Sequence, residues 1–349
     1  MAENSAGRAF IGSFTSAGGR GIVAATVDPG TGALIETGAT DAVADPSYLA
    51  AVTTPAGTVL YAVSETEDGA VAAFAATGGD PRPIGRQVPV GGASPTHIAV
   101  SQGHLMTANY GSGSVSVLPV GTDGAPGPLG GVMRHEGHGP VVERQSAPHA
   151  HQVLPDPTGR WVLSVDLGTD SVRICALDTA ADALTPHREM PLRPGTGPRH
   201  LAFHPDGRHA YVLGELEPTV TLCRWDPAAG LLEPVGETAV VPDGTAGPVH
   251  PSAPVVSHDG RHLWAAVRGR DSIAVLALDA TGERATFVTD VPCGGHWPRD
   301  LALDPTGRRL YAANERSGDV TWFTVDPSTG IPHHSGSLAV PAASCVVFA

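Results

Sequence analysis

Lysine is absent from this chain. All 21 basic residues are arginines, and they face 35 acidic ones for a formal net charge of −14. That balance excludes a general nucleic-acid surface and a polybasic membrane contact. Charged residues are only 16% of the 349, which leaves neither a disordered charged chain nor a coiled coil as a fitting class. No apolar run approaches the ~20 residues of a membrane span. The opening MAENSAGRAFIGSF lacks the basic start and apolar stretch of a secretory leader. A cytoplasmic protein that contacts neither nucleic acid nor membrane is the expectation. Cysteine is scarce: Cys175, Cys223, Cys293 and Cys345 lie too far apart for paired zinc ligands or a disulfide framework, and read as buried free thiols.

What the chain has in abundance is turn formers, with 44 glycines and 32 prolines. They are ordered by a repeat. A glycine followed by an alternating β-rich segment recurs at Gly7, Gly57, Gly103, Gly159, Gly207, Gly260 and Gly307, at intervals of 50, 46, 56, 48, 53 and 47 residues. Each interval suits one four-stranded unit. The longest contains GTDGAPGPLGGVMRHEGHGP, which reads as a long connection.

A second apolar segment, usually opened by proline, precedes most of these glycines: PSYLAAV, PTHIAV, PHAHQVL, PRHLAF, PSAPVV and PRDLAL. We call it strand A and the segment after the glycine strand B. The last strand A, PAASCVVFA, stands at the C-terminal end, whereas the first strand B, RAFIGSF, stands near the N-terminus with no strand A before it. The two ends therefore complete one unit together, which removes two exposed sheet edges. An all-β, seven-bladed β-propeller, one domain over residues 1–349, is expected. A sandwich needs no fixed period and an open array needs polar caps, so neither accounts for the split unit.

Strands A and B form a hairpin, so residues equidistant from its glycine share a level. Arg199 and Glu215 lie eight residues either side of Gly207, Ser252 and Arg268 either side of Gly260, and Arg299 and Glu315 either side of Gly307; Glu65 follows Gly57 by eight. His149, opening its strand A ten residues before Gly159, falls near the same rim. His149, Arg199, Glu215 and Arg268 thus meet from three consecutive units. An imidazole that moves a proton, a carboxylate between arginines and two anion-binding guanidiniums fit a hydrolytic site for a small anionic substrate. Each also has a structural reading: Arg199 with Glu215 as a cross-strand ion pair, His149 as a solvated turn histidine. His151, Glu65 and Arg299 join Arg199 and Arg268 as substrate-binding candidates. The spacings His149/His151 and His135/His138 suit metal ligands, yet no third ligand is evident in sequence, and no metal site is assigned.

In order along the chain, FIGSFTSAGGRGI, ANYGSGSVSV, RQSAPHAHQVLPDPTGRWVLSVDLGTDSV, GPRHLAFHPDGRHAYVLGELEPTV, RGRDSIAVLALD and PRDLALDPTGRRLYAANERSGDV resemble the seven-bladed lactonase family. That family includes the propeller type of 6-phosphogluconolactonase and carboxy-muconate cyclase. The resemblance implies that His149, Arg199, Glu215 and Arg268 are the family's active-site His, Arg, Glu and Arg. It further implies hydrolysis of 6-phospho-D-glucono-1,5-lactone in the pentose phosphate pathway, with no redox cofactor and no required metal. A lactonase or cyclase for another lactone, and a propeller that only binds, are the alternatives. The oligomeric state is not written in the sequence.

Overall fold

The computed structural model describes residues 7–54 and 57–349; the first six residues, part of the segment read for a leader, lie outside them. Among the described residues, twenty-eight strands build seven four-stranded antiparallel sheets arranged as a ring, the expected propeller. From blade 1 to blade 7 the A strands are Ala343–Phe348, Leu49–Thr54, Pro95–Ser101, Ala150–Pro155, Pro198–Phe203, His250–Val256 and Pro298–Leu303. Each touches the A strands of both neighbouring blades, so these seven surround the central axis. Between strands A and B, Gly103, Gly159, Gly207, Gly260 and Gly307 take φ values of +67° to +74°, where a side chain costs energy. The glycine period of the sequence is therefore a period of backbone conformation.

Ring closure has the split form expected. Ala343–Phe348 pairs antiparallel with Gly7–Ser13, from Ala9 opposite Phe348 to Ser13 opposite Ala343. Ile22–Val27 and Leu34–Thr40 complete that blade. The core is divided into seven apolar clusters, one between each pair of adjacent blades. Phe10, Leu49, Leu60 and Phe74 join blades 1 and 2, and Trp264, Leu301, Leu310 and Phe323 join blades 6 and 7. The outer strands are polar, as exposed edges must be to avoid pairing with other chains; Arg82–Pro89 is mostly exposed. All four cysteines are buried and unpaired. No helix among the described residues is long and apolar enough to cross a membrane.

One expectation fails. The stretch read as a long connection contains Val132–Arg134, the outer strand of blade 3. It is followed by a single helical turn, α1 (Val142–Gln145). A three-residue strand is too short to show periodicity.

Phe10 is fully buried between the closing blade and its neighbour. Phe10→Ala is expected to lower the unfolding free energy by ~3–5 kcal/mol in urea titrations; a loss under ~1 kcal/mol would mean that this interface contributes little to closure.

Candidate active site

The site begins with an irregularity that recurs in strand A. In blades 1 and 3 to 7 the A–B register shifts, leaving Ser344, Thr96, His151, Arg199, Ser252 with Ala253, and Arg299 as the extra residues. A bulge re-aims side chains, and here it does so at one level around the axis. This refines the hairpin arithmetic: the blade-4 equivalent of Arg199 is His151, and His149 lies two residues earlier, nearer the mouth. His151 is buried, whereas His149 is half-buried.

Glu215 is the hub. Its Oε2 accepts from Arg268 Nη2 at 2.7 Å and lies 3.2 Å from Arg199 Nε; its Oε1 accepts from Arg144 Nη2 at 2.6 Å. Burial pushes the Glu215 carboxyl up, but the charges of Arg268, Arg199 and Arg144 outweigh it and hold the group well below the usual carboxylate range. Burial and then the Arg268 charge push Arg199 down, to about 9, so its guanidinium is still a cation at neutral pH. Arg199 Nη1 also donates to Ser252 O, and Arg268 Nε donates to His250 O at 3.0 Å.

His149 stacks on Tyr110, with ring centroids 4.4 Å apart, and its Nδ1 lies 2.9 Å from Tyr110 O. A nitrogen facing a carbonyl must carry the proton, so the neutral ring keeps its lone pair on Nε2. The Tyr110 hydroxyl in turn accepts from Arg144 Nη2 at 3.4 Å. On the far side of the mouth, Arg299 lies 3.3 Å from Glu65 and 3.4 Å from Glu315. Of the site candidates, Arg199, Glu215, Arg268 and His151 gather in one cluster, which His149 joins through Tyr110 and Arg144, and Arg299 pairs with Glu65 in an adjoining one. The electrostatic influence of Arg299 on both Arg199 and Arg268 links the two.

Below Glu215 the channel carries neutral polar groups. His97, His151 and His200 pack edge to face, with centroids of His200 5.4 Å from His97 and 5.2 Å from His151. Burial, aided by Arg199, pushes His97 down to about 3 and the other two well below the ordinary imidazole value. Beside them burial pushes the Asp300 carboxyl up to about 6. His97 and His200 each follow the bulge position in a Pro-x-His triplet, a signal present in the sequence that the hairpin count passed over. Arg144 was missed for a different reason, because it lies in a connection that no A–B hairpin indexes; Tyr110, which follows Asn109 as Glu215 follows Gly214, and Trp297, ten residues before Gly307 as His149 is before Gly159, stand at countable positions but carry no charge to single them out. His135, considered as a metal ligand, is instead paired in the interior with Asp166 at 2.6 Å.

Over residues 8–348 the chain matches the lactonase family, described as a seven-bladed β-propeller. It belongs to that family. It is 34% identical to the 6-phosphogluconolactonase of Bacillus subtilis across 97% of each chain. Among solved structures it resembles the periplasmic gluconolactonase of Pseudomonas aeruginosa, with a TM-score of 0.91 and 29% identity over 99% of both chains. A Bacteroides fragilis protein provisionally called a 6-phosphogluconolactonase superposes with a TM-score of 0.92 at 30% identity, over 100% of this chain and 99% of that one.

The buried histidines make a pH prediction. Burial pushes the folded His97 imidazole down from the ordinary 6.5 to about 3, so the stability tied to its neutrality is full above pH ~6.5 and is lost as pH falls. Asp300, raised from 3.8 to about 6, acts oppositely: its contribution is lost as pH rises through that window. Three histidines against one carboxyl give a net loss on acidification from pH 7 to pH 5. His97→Asn should shrink that loss by roughly 2 kcal/mol, measured by urea unfolding at both pH values. An unchanged loss would mean that His97 is protonated in the folded protein.

Proposed function

We propose that this chain is a lactone hydrolase acting on 6-phospho-D-glucono-1,5-lactone, a cytoplasmic enzyme of the pentose phosphate pathway. The observation that carries the reading is a carboxylate bracketed by three guanidiniums beside a histidine whose Nε2 is free to accept a proton. The name of the Bacillus subtilis relative supplies the substrate. Four unpaired thiols accord with a reducing compartment.

Glu215 is a poor base, since its oxygens are occupied by arginines that hold it ionised. His149 therefore takes the base role. Its Nε2 removes a proton from water as the water oxygen bonds to the lactone carbonyl carbon, and the carbonyl π electrons move onto the carbonyl oxygen. Arg268 and Arg199, oriented by Glu215, face that oxyanion with the donors they do not spend on protein carbonyls. Collapse restores the carbonyl and breaks the bond to the ring oxygen, which takes the proton back from His149 and leaves as a hydroxyl. The other product end is a carboxylic acid, which ionises in water. His151 and the Glu65–Arg299 pair line the substrate's binding space in this reading.

A gluconolactonase acting on the unphosphorylated ring is the second reading, favoured by the likeness to the Pseudomonas aeruginosa protein. Freshly generated 6-phosphogluconolactone and gluconolactone, followed above spontaneous hydrolysis, separate the two. Turnover of the phospholactone is expected. His149→Ala should cost ~10²–10⁴-fold in kcat, and Arg268→Ala ~10²–10³-fold, each checked for folding by thermal melting. Activity at the parental level in His149→Ala would remove His149 as the base.

A further inference from the structure

We propose that Arg144 reads the substrate's phosphate and so sets the preference for a phosphorylated lactone; this rests on the phospholactone reading above. Three guanidiniums share Glu215, but they differ in what they have left to give. The side chains of Arg199 and Arg268 are 3% and 7% exposed and also donate to backbone carbonyls of blade 6. Arg144 is 36% exposed and spends only Nη2, on Glu215 and on the Tyr110 hydroxyl. Its Nε and Nη1 have no partner among the described residues. A half-exposed guanidinium with Nε and Nη1 unspent can hold a phosphate by its charge and by a charge-assisted hydrogen bond from one of these donors. Three cations on one carboxylate also leave the Glu215 cluster with surplus positive charge, which an incoming anion offsets. Glu215 stands directly between Arg144 and Arg268, so an anion held by Arg144 lies one carboxylate away from the hydrolytic arginines.

Arg144 is also held ready. The next residue, Gln145, is fully buried, and its Nε2 donates to Leu167 O and Asp170 Oδ1, both at 2.8 Å. The Asp170 carboxylate accepts from Gly195 and Gly197 N–H, both at 2.7 Å, and Gly197 O accepts from Glu215 N–H at 2.8 Å. The helical turn carrying Arg144 is thereby tied to the loop that carries Glu215. Arg316 is the competing cation at the mouth. It is exposed, lies over the Trp297 ring at 3.4 Å and forms no ion pair among the described residues. It reaches Glu215 only through Trp297 and Arg268.

The test compares parent, Arg144→Gln, Arg144→Lys and Arg316→Gln on 6-phosphogluconolactone and on unphosphorylated gluconolactone, with folding checked by thermal melting. Inorganic phosphate is titrated calorimetrically into each. Arg144→Gln is expected to lower kcat/KM for the phospholactone about 10- to 100-fold more than for gluconolactone, chiefly through KM. Arg144→Lys should recover part of that difference, and Arg316→Gln should leave the ratio between the two lactones within a few-fold of parent. Equal losses on both lactones would overturn the proposal, because Arg144 would then act by holding Glu215. Collapse of the ratio in Arg316→Gln alone would also overturn it. If the parent turns over neither lactone, the functional reading fails by itself, and phosphate affinity decides for Arg144: weaker binding in Arg144→Gln supports the proposal, whereas equal or absent binding in the parent overturns it.

Discussion

The pairing of Ala343–Phe348 with Gly7–Ser13 is the constraint on which the other features depend. A propeller blade has two apolar faces and can cover neither alone, so each needs a neighbour on both sides. Seven blades satisfy this only as a closed ring, and the closed ring creates an axis lined by seven inner strands. Without that antiparallel pair, the cluster of Ala9, Ile11, Val23 and Tyr311 and the cluster of Phe10, Leu49 and Phe74 would each lose one wall.

The axis then sets the chemistry. Inner strands packed side by side leave little room for water, so polar side chains bulged toward the axis are both buried and close together. Two regimes result. Deep in the channel, imidazoles are held neutral because burial and the Arg199 charge both oppose protonation. At the mouth, opposite charges are near enough to outweigh burial, and Glu215 stays ionised. Arg199 stands between these regimes: it helps hold the carboxylate charged and the histidines uncharged.

Much of this was legible in the residues, for reasons that can be named. Turn glycines recur because the A–B turn needs positive φ, and the stray strands at the two chain ends had only each other to pair with. Symmetric spacing about Gly207 and Gly307 placed Arg199 by Glu215 and Arg299 by Glu315, because a hairpin converts sequence distance into height. Hairpin counting assumes regular register, however, and the bulge adds a residue that it does not see. Hence His149 was set level with Arg199, a level that His151 occupies. Arg144 escaped altogether, since a four-residue helix in a connection has neither periodicity nor a partner strand to index it. Trp297 stands ten residues before Gly307, as His149 does before Gly159, but no count reveals its φ of +67°, unusual for a bulky side chain.

Asp170 has a mechanical consequence. Its two oxygens hold Gln145 on one side and the Gly195–Gly197 turn on the other. Arg144 and Glu215 therefore hang from one anchor, although they come from a connection and from a blade 71 residues apart in sequence. A shift of either segment is shared by the other, and the spacing between cation and carboxylate is set by this anchor and not by the blades that carry them.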